Sequence, residues 1–185
     1  MKKGSPVKGW VPMAVTAVMA LAALLGWREI FSPDIGTHLG SGRWMFEQGT
    51  WLRLDPFLYT VANRPYIDLY WLYQVFLWLL FRVGGTAALA ASTIGLTFAA
   101  CGLLLWRCRE RGGISGWCAP VLLLFVLGNL WEIRPHIVSW ILLGAMLLAF
   151  ETYQRGRRRA LWALPAIMLL WVNCHAMFIL GLGVL

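Results

Sequence analysis

Charge is scarce in this chain. Charged residues make up 13% of its 185 positions and hydrophobic residues 60%, whereas a soluble globular domain carries roughly a quarter of its residues charged. Too few polar side chains exist to cover a soluble fold, and the mean hydropathy of +0.68 agrees. A soluble domain is excluded, and so is intrinsic disorder, which requires low hydrophobicity and high charge. No nucleic acid partner is expected. The four cysteines, Cys101, Cys108, Cys118 and Cys174, show no C-x-x-C spacing, and Cys101 and Cys174 lie deep inside apolar runs, so neither a disulfide framework nor a zinc site is expected. No internal repeat and no low-complexity linker interrupts the chain.

What the chain has instead is long apolar runs. About 20 apolar residues cross a hydrocarbon core at 1.5 Å per residue. Val11–Phe31, Thr86–Trp106, His136–Tyr153 and Leu161–Leu185 fit that template, as does the shorter Trp117–Trp131. The first has a lysine-bearing head like that of a secretory signal, but no small-x-small site precedes Trp27-Arg28-Glu29, so an uncleaved span is expected. Ile67–Val83 is ambiguous: it holds Asp68, Gln74 and Arg82, several aromatics suited to an interfacial belt, and a closing Gly84-Gly85. The expected fold is therefore an all-α polytopic transmembrane protein of five or six spans, with an extracytoplasmic first loop containing an interfacial helix. The apolar run still open at Leu185 implies that residues 1–185 form a single transmembrane domain, the N-terminal part of a longer protein.

The net charge is +8, and its placement sets the topology. Lys2, Lys3 and Lys8, then Arg107, Arg109 and Arg111, then Arg155, Arg157, Arg158 and Arg159 form three basic clusters, which belong on the cytoplasmic side. With a cytoplasmic N-terminus, all three share that side only if Ile67–Val83 does not cross, which gives five spans. His175 then lies about 24 Å up a helix from the third cluster, near the outer face, along with Asp34, Asp55, Glu132, Arg134 and His136.

Five of the eight acids, Glu29, Asp34, Glu47, Asp55 and Asp68, fall within one 40-residue stretch, and chemistry is expected there. Pro33 breaks the first span, and a helix starting near Asp34 puts Ile35, Leu39 and Phe46 on one side. Asp34 and His38, four residues apart, share a face. That spacing suits a carboxylate orienting an imidazole or sharing a metal with it; it equally suits an Asp34 that merely caps the helix beside a solvated His38. Asp55-Pro56 and Asn63-Arg64-Pro65 are turn chemistry, although Asp55 beside Asp34 would give oxygen ligands for a divalent cation. Ionisable groups bordering apolar runs are costly unless they face a cavity or a partner. Glu132-Ile133-Arg134-Pro135-His136 is one such group, readable as a phosphate clamp or as a salt-bridged loop. Asn173 and His175, inside the last run, either line a pocket or bond between helices.

The sequence D-I-G-T-H-L-x-x-G after a first span, then G-T-W-L-R-L-D-P-F-L-Y-T, R-P-Y, W-L-Y-Q-V, R-P-H and W-V-N-C-H-A-M-F-I-L-G, resembles the GT-C superfamily of polytopic membrane glycosyltransferases. Within it the chain is most similar to bacterial relatives of protein mannosyltransferases and lipid A aminoarabinose transferases. The resemblance runs from about Val11 to Gly181. It implies a polyprenyl-phosphate-linked sugar donor, an active site outside the cytoplasm, residence in the bacterial plasma membrane and an essential acid in the first external loop, which maps onto Asp34. The chain has Asp34-Ile35 where some mannosyltransferases have Asp-Glu, a departure that argues against protein mannosylation. On this reading Asp34 is the base, His38, Arg64, Arg134, Asn173 and His175 bind the substrate, and Asp34 with Asp55 holds any metal. Two other classes compete: a non-enzymatic membrane protein, such as a transporter or a lipid-binding assembly subunit, and a truncated inactive relative. A transporter would show charges at mid-membrane and repeated halves; here the acids cluster outside the spans.

The five-span topology is testable with impermeant thiol reagents on intact cells. A cysteine at Arg157 should remain protected and one at Thr37 should react; external labelling at position 157 would require residues 67–83 to cross.

Overall fold

The computed structural model describes residues 32–57, 64–108 and 133–185, together with positions 17 and 20. The expected span Val11–Phe31 apart from those two positions, the expected span Trp117–Trp131, the N-terminal lysines, Arg109, Arg111, Asn63 and Glu132 lie outside the described residues. The elements are α1 (Ile35–Gln48), α2 (Trp71–Cys108), α3 (His136–Gln154), a 3₁₀ turn (Arg158–Trp162), α4 (Ala163–Cys174) and α5 (Phe178–Val184). Among the described residues there is no strand, only an isolated bridge between Leu54 and Pro65. Two helices, at Trp71–Arg107 and His136–Gln154, are long and apolar enough to cross a membrane.

Local chemistry fixes the helix ends. The helix expected after Pro33 begins at Ile35 and stops at Gly49, which takes the left-handed conformation (φ 62°) and returns its N–H to the Met45 carbonyl at 3.0 Å. Asp68 starts α2: its Oδ1 accepts the Tyr70 N–H at 2.9 Å and the Gln74 amide at 3.3 Å. Pro135, with φ −66°, leads into α3.

The ambiguous stretch Ile67–Val83 is resolved into the first part of α2. Helical geometry fails at Gly84 (φ −145°) and Gly85 (φ 58°, ψ −147°), a conformation open to glycine alone at the second position. On a straight helix Leu77 and Leu89 would sit about 18 Å apart, yet both join one buried cluster with Tyr73, Ile133 and Cys174. Residues 71–83 instead run beside α1 in the same direction. Arg43 stacks on Trp78 at 5.7 Å, and one turn further Arg82 stacks on Phe46 at 5.2 Å. Between these helices Gly42 lies directly against the Gln74 backbone, leaving no room for a Cβ.

Residues 86–108 and α3 then run side by side. Their far ends are tied by Arg107, whose Nε and Nη2 donate to Glu151 Oε1 at 3.1 and 2.7 Å. Leu161–Leu185 departs from the expected single span. Its first residues form the 3₁₀ turn, and Pro165, with no N–H to give, fits only the first turn of α4. At His175 the backbone becomes extended (φ −162°, ψ 139°), because the imidazole is bonded sideways to α3. The chain then folds back, so that Gly181 of α5 packs on Met168 and Trp171 of α4.

The Gly42 contact predicts a sharp positional effect. Gly42→Ala should destabilise the protein by about 1–3 kcal/mol, because a methyl there must displace backbone. Gly36→Ala, at a site with open space on the same helix, should be neutral or stabilising by up to about 1 kcal/mol. Thermal unfolding in detergent compares the two; equal effects would contradict the tight α1–α2 contact.

Candidate functional site

Five segments converge on one polar cavity: the start of α1, the loop before α2, the first turn of α2, the entry to α3 and the end of α4. It has a volume of about 420 Å³ and is lined by Asp34, Thr37 and His38, by Tyr66, Tyr70 and Gln74, and by Arg134, Pro135, His136 and His175. All three histidines of the chain are among them. The loop reaches the cavity because residues 53–55 pair with 64–66: the Asp55 N–H donates to the Arg64 carbonyl at 3.1 Å and the Tyr66 N–H to Arg53 at 2.9 Å. That pairing presents Tyr66 to the opening.

Asp34 occupies the N-cap position of α1 but makes no side-chain cap bond. Its carboxylate turns to Arg134, with Oδ2 at 3.2 Å from Nη2. The side chains are 52% and 39% exposed, and an ion pair so open to water is worth under about 1 kcal/mol. Stability therefore does not account for the placement, whereas a charge pair at the wall of a cavity is chemically usable. His38, one turn along, is buried between the edges of Tyr70 and Tyr73, with ring centroids at 6.0 and 5.9 Å. Its Nδ1 is sequestered from solvent and has no hydrogen-bond partner. Burial pulls its pKa below the ordinary value; the Asp34 charge opposes that shift and the Arg134 charge reinforces it. His38 is thus a neutral imidazole at pH 7. Asp68, under the cavity floor, is shifted the other way: burial raises its pKa against the bonds from Tyr70 and Gln74.

His175 is held by a buried relay. Trp171, with no exposed surface, donates its indole N–H to Ser139 Oγ at 2.8 Å, and Ser139 lies 2.7 Å from His175 Nδ1. Ser139 has one hydroxyl hydrogen and already accepts from Trp171. The pairing that uses every polar hydrogen has Ser139 donating to Nδ1, which leaves the His175 proton on Nε2. Tyr70 bridges the cavity, its ring 6.0 Å from that of His38 and 5.7 Å from that of His175.

Of the residues singled out from sequence, Asp34, His38, Arg134 and His175 are brought together. Asn173 is not: its Oδ1 accepts the Trp71 indole N–H at 2.7 Å and its amide donates to the Leu169 carbonyl at 2.6 Å, so it ties α4 to α2. Arg64 is exposed and outside the lining. Asp55 accepts the Phe57 N–H at 2.9 Å in a tight turn, also outside the lining. The expected Asp34 and Asp55 ligand pair is therefore not assembled, and the described residues hold no group of three His, Cys, Asp or Glu side chains fit for a metal ion.

Tyr66, Tyr70, Gln74 and Thr37 were not singled out, nor were Ser139 and Trp171. A signal existed for one pair: Tyr70 and Gln74 are four apart and share a helix face, inside the stretch whose polar residues made it a poor span. The Trp171 to Ser139 link joins residues 32 apart, and no local pattern announces it. No family model, curated protein or solved structure matches the chain.

The depressed His38 pKa gives a direct test. Its NMR titration midpoint should lie below 6.5, fall further in Asp34→Asn and rise in Arg134→Gln. A folded pKa below the unfolded one means that the unfolded chain takes up the proton first, so this group's contribution to stability is lost as pH falls below about 6.5. A midpoint at or above 6.5 would contradict the buried, neutral assignment.

Proposed function

We propose that the chain is a membrane-embedded GT-C-like glycosyltransferase that moves a sugar from a polyprenyl-phosphate-linked donor to an acceptor outside the cytoplasm. The observation that carries this reading is the Asp34–Arg134 pair at the wall of a cavity that also collects every histidine of the chain. Transfer from a lipid phosphate needs a base for the acceptor hydroxyl and positive charge for the departing phosphate. Asp34 takes the acceptor proton as the acceptor oxygen bonds to the sugar's anomeric carbon. The bond from that carbon to the phosphate oxygen breaks, and the lipid phosphate leaves with the electron pair. Arg134 exchanges its carboxylate partner for that phosphate, which favours one ionic contact over the other without creating charge. The His175 Nε2–H supplies a further donor, and neutral His38 lines the pocket without adding charge.

Topology supports the same reading. The cavity lies at one end of α3, and Arg155–Arg159 follow its other end, about 28 Å away for 19 residues. On this reading residues 71–83 lie beside α1 without crossing, and the four spans ahead of Arg155 put the arginines in the cytoplasm and the cavity outside, with the N-terminus cytoplasmic. The acceptor hydroxyl and the donor headgroup would meet at that outer face of a bacterial plasma membrane.

Asp34→Asn separates the catalytic reading from the structural one. Asparagine caps a helix as well as aspartate does, so a capping residue would tolerate the change. A general base would lose about 10²–10⁴-fold in rate. Transfer of labelled sugar from a polyprenyl-phosphate donor, assayed in membranes holding matched amounts of the full-length protein, should fall by that amount. Near wild-type transfer would remove Asp34 from the mechanism. Asp55→Asn should leave transfer close to wild type, because asparagine makes the same turn.

A further inference from the structure

The opposite end of the bundle carries a second site. Ala100, Leu103, Leu104 and Arg107 of α2 and Trp140, Leu143, Gly144 and Leu147 of α3 line a cavity of about 200 Å³. Each set has the spacing i, i+3, i+4, i+7, one stripe of a helix face, so two stripes oppose each other along parallel helices. Gly144 lets Leu103 pack directly against the α3 backbone, and four leucines wall the space. The lining covers seven residue steps on each helix, so the groove runs about 10 Å along them, with the Arg107–Glu151 pair at its end. Its polar groups are the Arg107 guanidinium and the indole N–H of Trp140.

That end is strongly basic. Arg107 pairs with Glu151, and Arg155, Arg157, Arg158 and Arg159 lie just past the last turn of α3. Arg155 follows Glu151 by four residues, which puts it on the same helix face as the Arg107 contact, and all four arginines are exposed. Arg107 spends two of its five N–H groups on Glu151.

We propose that this groove binds an anionic phospholipid, with one acyl chain along the leucine-walled groove and the phosphate against Arg107 and the Arg155–Arg159 turn. A mainly apolar slot that opens at one end onto net positive charge matches the two halves of such a lipid, and basic pockets between transmembrane helices are a known mode of anionic headgroup binding. A zwitterionic lipid carries its own cation, which cancels the attraction. The site is independent of the polar cavity and of the reaction proposed there.

Thermal unfolding and native mass spectrometry of the full chain in detergent, titrated with dioleoyl phosphatidylglycerol or dioleoyl phosphatidylcholine, provide the test. Phosphatidylglycerol should be retained and raise the unfolding temperature at concentrations where phosphatidylcholine does neither. The double variant Arg107→Gln, Glu151→Gln removes the guanidinium without changing the net charge or stranding a half-buried carboxylate, and should weaken phosphatidylglycerol binding about fivefold, the equivalent of about 1 kcal/mol for a lost hydrogen bond to the phosphate. Leu104→Trp should weaken it by filling the groove. Equal binding of the two lipids would overturn the proposal. So would a loss confined to the triple variant Arg157→Gln, Arg158→Gln, Arg159→Gln with the two groove variants unaffected, because that pattern belongs to diffuse surface attraction. A measurement on the unaltered protein guards against variants that fail to fold. Phosphatidylglycerol with a photoreactive acyl chain should crosslink to the peptides holding residues 100–107 and 140–147, and crosslinks that avoid both would also refute the site.

Discussion

A polar side chain among apolar helices has nowhere to go but another polar side chain or a cavity that admits water, because lipid offers it no partner and leaving it bare costs several kcal/mol. In a chain with this little charge, that constraint concentrates the polar groups. Asp34, Arg134 and the three histidines converge on one cavity, while Arg107 and Glu151 neutralise each other at the far end. The segments that deliver them are each bent or halted to do so. α1 lies beside the first part of α2, the Gly84-Gly85 break turns that helix, and α4 ends at the histidine it presents.

The Trp171–Ser139–His175 relay shows how one such arrangement governs its surroundings. Ser139 is 2% exposed and Trp171 is fully buried, so neither hydroxyl nor indole N–H can turn to water. Each is satisfied by the other, and the remaining hydroxyl hydrogen finds the imidazole. The bond pulls His175 toward α3 and ends α4 there, although the apolar sequence continues to Leu185. Backbone geometry, ring orientation and cavity lining at this point thus follow from two hydrogen bonds. The same logic sets Asn173 apart from His175 although the two are neighbours in sequence. Its amide is consumed on both sides by Trp71 and Leu169, and it serves packing between helices rather than the cavity.

Much of this was legible in the sequence because it depended on local signals. Pro33 and the periodicity after it announced α1, and the spacing of Asp34 and His38 put both on one face; each lines the cavity. Apolar length announced the helices at Thr86–Trp106 and His136–Tyr153, and the polar residues of Ile67–Val83 with its two glycines marked a stretch unlike a span. What escaped the sequence was non-local. Hydropathy reads 161–185 as one run because it counts side chains and cannot register a hydrogen bond from His175 to a serine 36 residues earlier. Asp34 finds its cation in Arg134, a hundred residues away. The sequence offered His38 and Glu132 as nearer partners for the two charges. Asp55 and Arg64 stood out as charged residues in a stretch rich in chemistry, but the pairing of 53–55 with 64–66 spends their backbones on a turn and sends Tyr66 to the cavity in their place.

Asp34 shows why position alone does not assign a role. An aspartate one residue ahead of a helix is the commonest capping arrangement, and the N-terminal end of α1 would welcome its charge. Yet its oxygens make no cap bond, and the nearest cation belongs to a segment that enters from the other side of the cavity. The exposed ion pair stabilises the fold little. Under the proposed function the pair gains its use when a third group arrives. In the reaction proposed above, an anion entering the cavity would compete with Asp34 for Arg134 and release the carboxylate beside the His38 imidazole and the His175 ring. Binding of the anion and readiness of the base would then be one event, with the guanidinium as the shared element.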